Sequence, residues 1–126
     1  MEGKKERIPD GVQIVVDVYS GRPNPVLNCS ESDMEEIRER LKDLKPAKPN
    51  EPVRLGYRGF LILNTGQIKG IPAQMRVYDG VLAILTEKGK FQHHADTNQL
   101  EKWLIHQTLE LSKKHKLGLE QILPKK

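Results

Sequence analysis

The chain is poor in the residues that most often announce a function. It has a single cysteine, six aromatic side chains (one Trp, three Tyr, two Phe) and no apolar run near the eighteen residues that mark a membrane span. The lone Cys29 excludes an internal disulfide and fits a reducing compartment, so a cytoplasmic protein is expected. The apolar stretch after the charged N-terminus is broken by Asp17 and is too short for a signal-peptide core. Gly66, Gly70, Gly80 and Gly89 match neither nucleotide fingerprint, and no cofactor is expected.

Positive charge is plentiful but badly placed for nucleic acid. The net charge is +4, from 21 basic and 17 acidic residues. Residues 1 to 7 and 113 to 126 together hold 8 of the basic and 3 of the acidic ones, leaving 13 against 14 in the body of the chain. Nucleic-acid binding calls for a basic face on the folded body, often with stacking aromatics, and is disfavoured here.

The 126 residues suit one domain. Residues 1–10 read as a disordered arm, 11–118 as the domain and 119–126 as a tail, with a short apolar turn over 119–123 able to dock. From Val12 to Tyr19, Val12, Ile14, Val16 and Val18 alternate with more polar positions, the period of a strand. Ser30 or Ser32, followed three residues on by Asp33 or Glu35, predicts a capped helix with Met34, Ile37, Leu41 and Leu44 as its apolar stripe. Prolines 46, 49 and 52 predict a semi-rigid connector. Strands follow over Phe60–Leu63 and, as a hairpin around Asp79-Gly80, over Met75–Leu85, with a last one at Phe91–His94. Asp96 predicts the start of a helix with Leu100, Trp103, Leu104 and Leu111 buried and Gly118 just past its end. The sum is an α+β two-layer sandwich, a mainly antiparallel sheet of about five strands with two helices on one face, in the order β-α-β-β-β-β-α.

Between the first strand and first helix lies Ser20-Gly21-Arg22-Pro23-Asn24-Pro25, the least generic stretch. Pro23 and Pro25 fix their own φ and push Arg22 and Asn24 into extended conformations, while Gly21 permits an angle that a side chain would oppose. Such a stiff corner either simply turns the chain or presents a guanidinium fork and an amide to a ligand at low entropic cost. With Tyr57 and Arg58 from the glycine-flanked Gly56-Tyr57-Arg58-Gly59 segment and His94 from the last strand, Arg22 and Asn24 form the candidate binding set. His93, His94 and Asp96 are the metal suspects. Neighbouring strand residues face opposite ways, and fewer than the three ligands of a catalytic zinc site can be assembled, so no metal is expected. Cys29 precedes a helix N-terminus, which favours a thiolate, but no partner histidine is placed by spacing.

The Tyr19–Pro25 corner, the Gly56–Phe60 segment and the stretch from Asp96 to Leu104 together resemble a group of small uncharacterised bacterial proteins that carry an SGRPNP loop. That group often has an aromatic two positions beyond the loop, where this chain has Leu27. The resemblance brings no function with it and implies only that Arg22, Asn24 and Arg58 do more than turn the chain. Two functions are compatible with the residues. One is a non-catalytic binding module recognising an acidic protein surface or a small anion through Arg22 and Arg58. The other is a small metal-assisted or acid–base enzyme using His94 with Asp96 or Tyr57.

Overall fold

The computed structural model describes residues 11–19, 21–50 and 56–124. The predicted arm over 1–10, Ser20, Pro52 and the last two residues lie outside this set. The elements run β1 (Val12–Val16), β2 (Val26–Asn28), α1 (Glu31–Arg40), β3 (Phe60–Asn64), β4 (Gln74–Tyr78), β5 (Val81–Leu85), β6 (Phe91–Ala95) and α2 (Leu100–His115), closed by a 3-10 turn at Leu119–Gln121. Among the described residues none belongs to a helix long and apolar enough to cross a membrane.

The fold is α+β with six strands in one open antiparallel sheet, ordered β2-β1-β3-β4-β5-β6. Six replaces the expected five because the corner does not deliver the chain straight to α1. It folds Val26–Asn28 back onto β1, with Leu27 opposite Ile14 and Val26 opposite Val15. Three residues give too short an alternation to be read from sequence. β1 ends at Val16, three residues before the predicted limit, because the corner takes over the backbone beyond it.

Register lines the core up across the sheet. Val16, Phe60, Val77, Leu82 and His94 form one row, and Ile14, Ile62, Met75 and Ile84 the next. Met34 and Ile37 of α1 and Leu100, Leu104 and Ile105 of α2 join the same core, as do Leu119 and Leu123. The alternate positions, Val15, Leu61, Arg76, Ala83 and His93, share the opposite face by the same register. The β4–β5 turn has φ of 49° at Asp79 and 81° at Gly80, the two left-handed residues of a type I′ hairpin.

Ser30 caps α1 in a full capping box with Asp33, and Glu36 pairs with Arg40 at 2.8 Å. At α2 the buried side differs from expectation. Leu100, Leu104, Thr108 and Ser112 form one row and Glu101 and Ile105 the next, with Trp103 only partly buried. Three of these six are polar, so an apolar stripe alone misplaces the face. Ser112 accepts from the Leu119 amide (2.9 Å) and donates to Glu120 (2.9 Å), tying the chain's end to the helix. The helix ends at His115, with Lys116 and not Gly118 as the left-handed terminator.

Candidate functional site

Asp17 is the hub of the corner. It stands just past β1, 8% exposed. Its Oδ1 accepts from Arg58 Nε (3.1 Å), Arg58 Nη2 (2.9 Å) and Asn24 Nδ2 (3.2 Å), and its Oδ2 from Arg76 Nη1 (2.9 Å). Arg58 Nη2 also donates to the Tyr19 carbonyl (2.6 Å), and Arg76 Nη1 to that of Arg58 (2.8 Å). Burial alone would raise the Asp17 pKa, but the hydrogen bonds and charges of Arg58 and Arg76 outweigh it and hold the carboxyl below its ordinary value.

Asn24 explains why the corner is stiff. Its Oδ1 accepts from the amides of Val18 (3.0 Å) and Tyr19 (2.7 Å) while its Nδ2 reaches Asp17. One side-chain amide thus replaces the ladder partners that Val18 and Tyr19 lose when the strand ends. Pro25, with no amide hydrogen, still lends its carbonyl to Val16 (2.9 Å).

Arg22 is held differently. Its guanidinium lies over the Tyr19 ring, 3.8 Å from the centroid. Arg38, Arg40, Arg58 and Arg76 each meet a carboxylate, respectively Glu35, Glu36, Asp17 and Asp17. Among the described residues Arg22 meets none, and its side chain is exposed. It borders a concavity of about 440 Å³ shared with Tyr19, Pro23, Pro25, Lys116 and Leu117.

Arg22, Asn24 and Arg58 therefore gather around Asp17 and Tyr19, whereas the other two candidates sit elsewhere. Tyr57, although next to Arg58, points the other way and donates to Glu101 Oε2 at 2.6 Å. Glu101, 3% exposed, also accepts from the Asp79 and Gly80 amides (3.1 and 3.0 Å), clamping the hairpin turn to α2. Burial, reinforced by Glu101, pushes the Tyr57 phenol above its ordinary value. His94 is on β6 opposite Leu82, at the far edge from β2, where Pro46 bridges to it. Asp96 spends both oxygens on helix amides, Leu100 N–H at 2.7 Å and Glu101 N–H at 2.8 Å. His93 and His94 follow one another on β6 and so alternate in face. Among the described residues no three His, Cys, Asp or Glu side chains gather as a metal site. Burial, then the Asp33 charge, pushes the Cys29 thiol up to about 12, so the helix terminus does not make it a thiolate at neutral pH.

Sequence reasoning missed Asp17 and Glu101, and it singled out Arg76 only as a sheet-face residue beside Tyr19 and Tyr78, not as a partner of Asp17. Asp17 and Glu101 were legible only as polar interruptions in apolar patterns, a signal that marks buried polar hubs as well as exposed faces. The chain matches no protein-family model, and neither a curated protein nor a solved structure shows detectable similarity to it.

Proposed function

We propose that this protein is a non-catalytic interaction module of the cytoplasm that recognises an acidic surface on a protein partner, with Arg22 as the contact residue and Arg58 as part of its support. The observation that carries this reading is the state of Arg22: stacked on Tyr19, exposed, and without the carboxylate that each other described arginine has. A planar guanidinium already fixed on an aromatic face loses little entropy on accepting a carboxylate, and its fork favours bidentate geometry. Arg58 and Arg76 pair with Asp17 and serve to hold the corner. Of the groups that an acid–base enzyme would use, Asp96 is engaged as a helix cap and Tyr57 as a donor to buried Glu101, so neither proposed partner is left for His94, whose buried Nδ1 has no hydrogen-bond partner among the described residues.

Poly-glutamate is the probe, followed by amide chemical shifts of the isotope-labelled protein. Shifts are expected at Tyr19 to Asn24, with affinity falling about tenfold in Arg22→Ala and partly in Arg22→Lys, which keeps the charge but loses the fork and the stacking. Unaltered affinity in Arg22→Ala would sink the reading.

A further inference from the structure

The concavity that Arg22 borders has a second cation in its lining. Lys116 and Leu117, the first residues past α2, line it together with Pro23 and Pro25. Its volume of about 440 Å³ lies within the roughly 300–1,000 Å³ of ordinary ligand sites. No acidic side chain is among its described lining residues. Lys116, like Arg22, has no carboxylate partner among the described residues. Leu117 is 42% exposed beside it, an apolar side chain left open next to a free charge.

The backbone supplies an independent observation. Lys116 has φ 56° and ψ 47°, the left-handed conformation that helix terminators ordinarily give to Gly or Asn. Two residues on, Gly118 is also left-handed, at φ 74°. At 116 the turn is made by a residue that carries a charge and a conformational cost. Asp43, Gln67, Asp79 and Gln99 also have positive φ among the described residues, so what sets Lys116 apart is that its left-handed backbone stands in the lining of the concavity beside Arg22.

We infer that Lys116 is the second cation of the acidic partner's seat, and that the seat takes an extended acidic peptide segment. One carboxylate sits on the Arg22 fork and a second on the Lys116 ammonium. The apolar body between them lies against Pro23, Pro25 and Leu117. This rests on the reading of Arg22 given above. It adds that the site spans two parts of the chain distant in sequence, so that the corner alone binds weakly.

The test uses a labelled peptide with Glu-Leu-Glu at its centre, its Gln-Leu-Gln counterpart, and three variants of the full chain: Arg22→Ala, Lys116→Gly and Lys116→Asn. Lys116→Gly and Lys116→Asn, which both suit the left-handed region, should raise the thermal midpoint while weakening the peptide about three- to fivefold, the size of one exposed charge pair. The Gln-Leu-Gln peptide should bind more weakly to wild type and be indifferent to position 116. If both Lys116 variants are stabilised yet bind the acidic peptide as wild type does, Lys116 is a helix terminator only and the inference falls, even while Arg22→Ala remains defective. If Arg22→Ala also binds normally, the reading of Arg22 falls with it. Competition by citrate as effective as by unlabelled peptide would make the seat one for a free small anion and overturn the peptide assignment.

Discussion

Asp17 and Glu101 are both buried carboxylates that tie distant parts of the chain together, and the described donors around them differ in kind. Asp17 draws in two guanidinium groups and an amide. Glu101 draws in a phenol and two turn amides. The same dipeptide serves both, since Tyr57 turns to Glu101 and Arg58 to Asp17. The difference lies in what each corner offers to solvent. Around Glu101 the hydrogen bonds close a hairpin turn onto a helix, a structural clamp. Around Asp17 two arginines share one carboxylate, and a third, Arg22, lies nearby on the Tyr19 ring without a carboxylate among the described residues. On the proposed reading, the Glu101 corner serves stability alone and the Asp17 corner stability together with recognition, and that comparison is open to test.

The largest effect should come from breaking the division itself. Gly59 lies at φ 91°, and a Cβ placed there would come 2.2 Å from the Val77 carbonyl oxygen and 2.7 Å from Tyr78 Cβ. Its own carbonyl accepts from the Asp17 amide (3.0 Å), next to the pairing of the Arg58 amide with the Asp17 carbonyl (2.8 Å). Gly59→Ala has no neighbour able to yield cheaply and should cost at least about 3 kcal/mol in urea unfolding. It should disturb both carboxylates at once, seen as amide shifts around Asp17 and around Asp79. A loss confined to one corner would show that the two are not coupled through this segment.

Much of this scaffold is legible in the sequence, for physical reasons that also mark the limit. The hairpin at Asp79-Gly80 and the capping box at Ser30 depend on two to four adjacent residues, so local chemistry specifies them. The α+β class follows from period alone. What escaped depends on partners far apart in the chain. Asp17 meets Arg58 and Arg76, 41 and 59 residues away. The β2 strand is specified by Asn24 and by pairing with β1, not by its own three residues. Asn64 is a similar case: its side chain accepts from the Ile68 amide (2.9 Å) and donates to the Ile68 and Ile71 carbonyls (2.8 and 2.9 Å), shaping a loop that its glycines and proline only announced. Of the candidate set, the members joined by short loop chemistry, Arg22 and Asn24, stay together with Arg58. Tyr57 and His94 depend on facing and on sheet order, which a list of polar residues does not contain.

A middle-sized effect sharpens the comparison. Asp17→Ala removes the carboxylate that Arg58 and Arg76 share. Allowing for the 31% exposure of the Arg76 side chain, the expected loss is about 2–4 kcal/mol. Glu101→Gln keeps the size of the side chain and one acceptor oxygen toward Tyr57 and the turn amides, and the expected loss is about 1–2 kcal/mol. The signature lies in binding as much as in stability. Asp17→Ala should also weaken poly-glutamate, because the corner that positions Tyr19 and Arg22 loosens, whereas Glu101→Gln should leave that affinity unchanged. Equal effects of the two variants on affinity would erase the distinction between the two corners.

The smallest effect is in acid. Asp17 titrates in the folded protein below its ordinary value, with Arg58 and Arg76 as the cause. A carboxyl depressed on folding contributes stability that is fully present above its unfolded pKa, near 4, and is lost as pH falls through the lower, folded value. The wild-type chain should therefore lose part of its stability through this group as pH falls below about 4. Asp17→Asn, which has no proton to take up, should lack that part of the acid limb. Urea midpoints of the two chains at pH 7 and at pH 2.5 make the measurement. The gap between them should be widest at neutral pH and should narrow in acid, as protonated Asp17 comes to resemble the amide. A gap independent of pH would mean that Asp17 holds the corner through shape and hydrogen-bond number alone, and that its charge does not distinguish this corner from the one around Glu101.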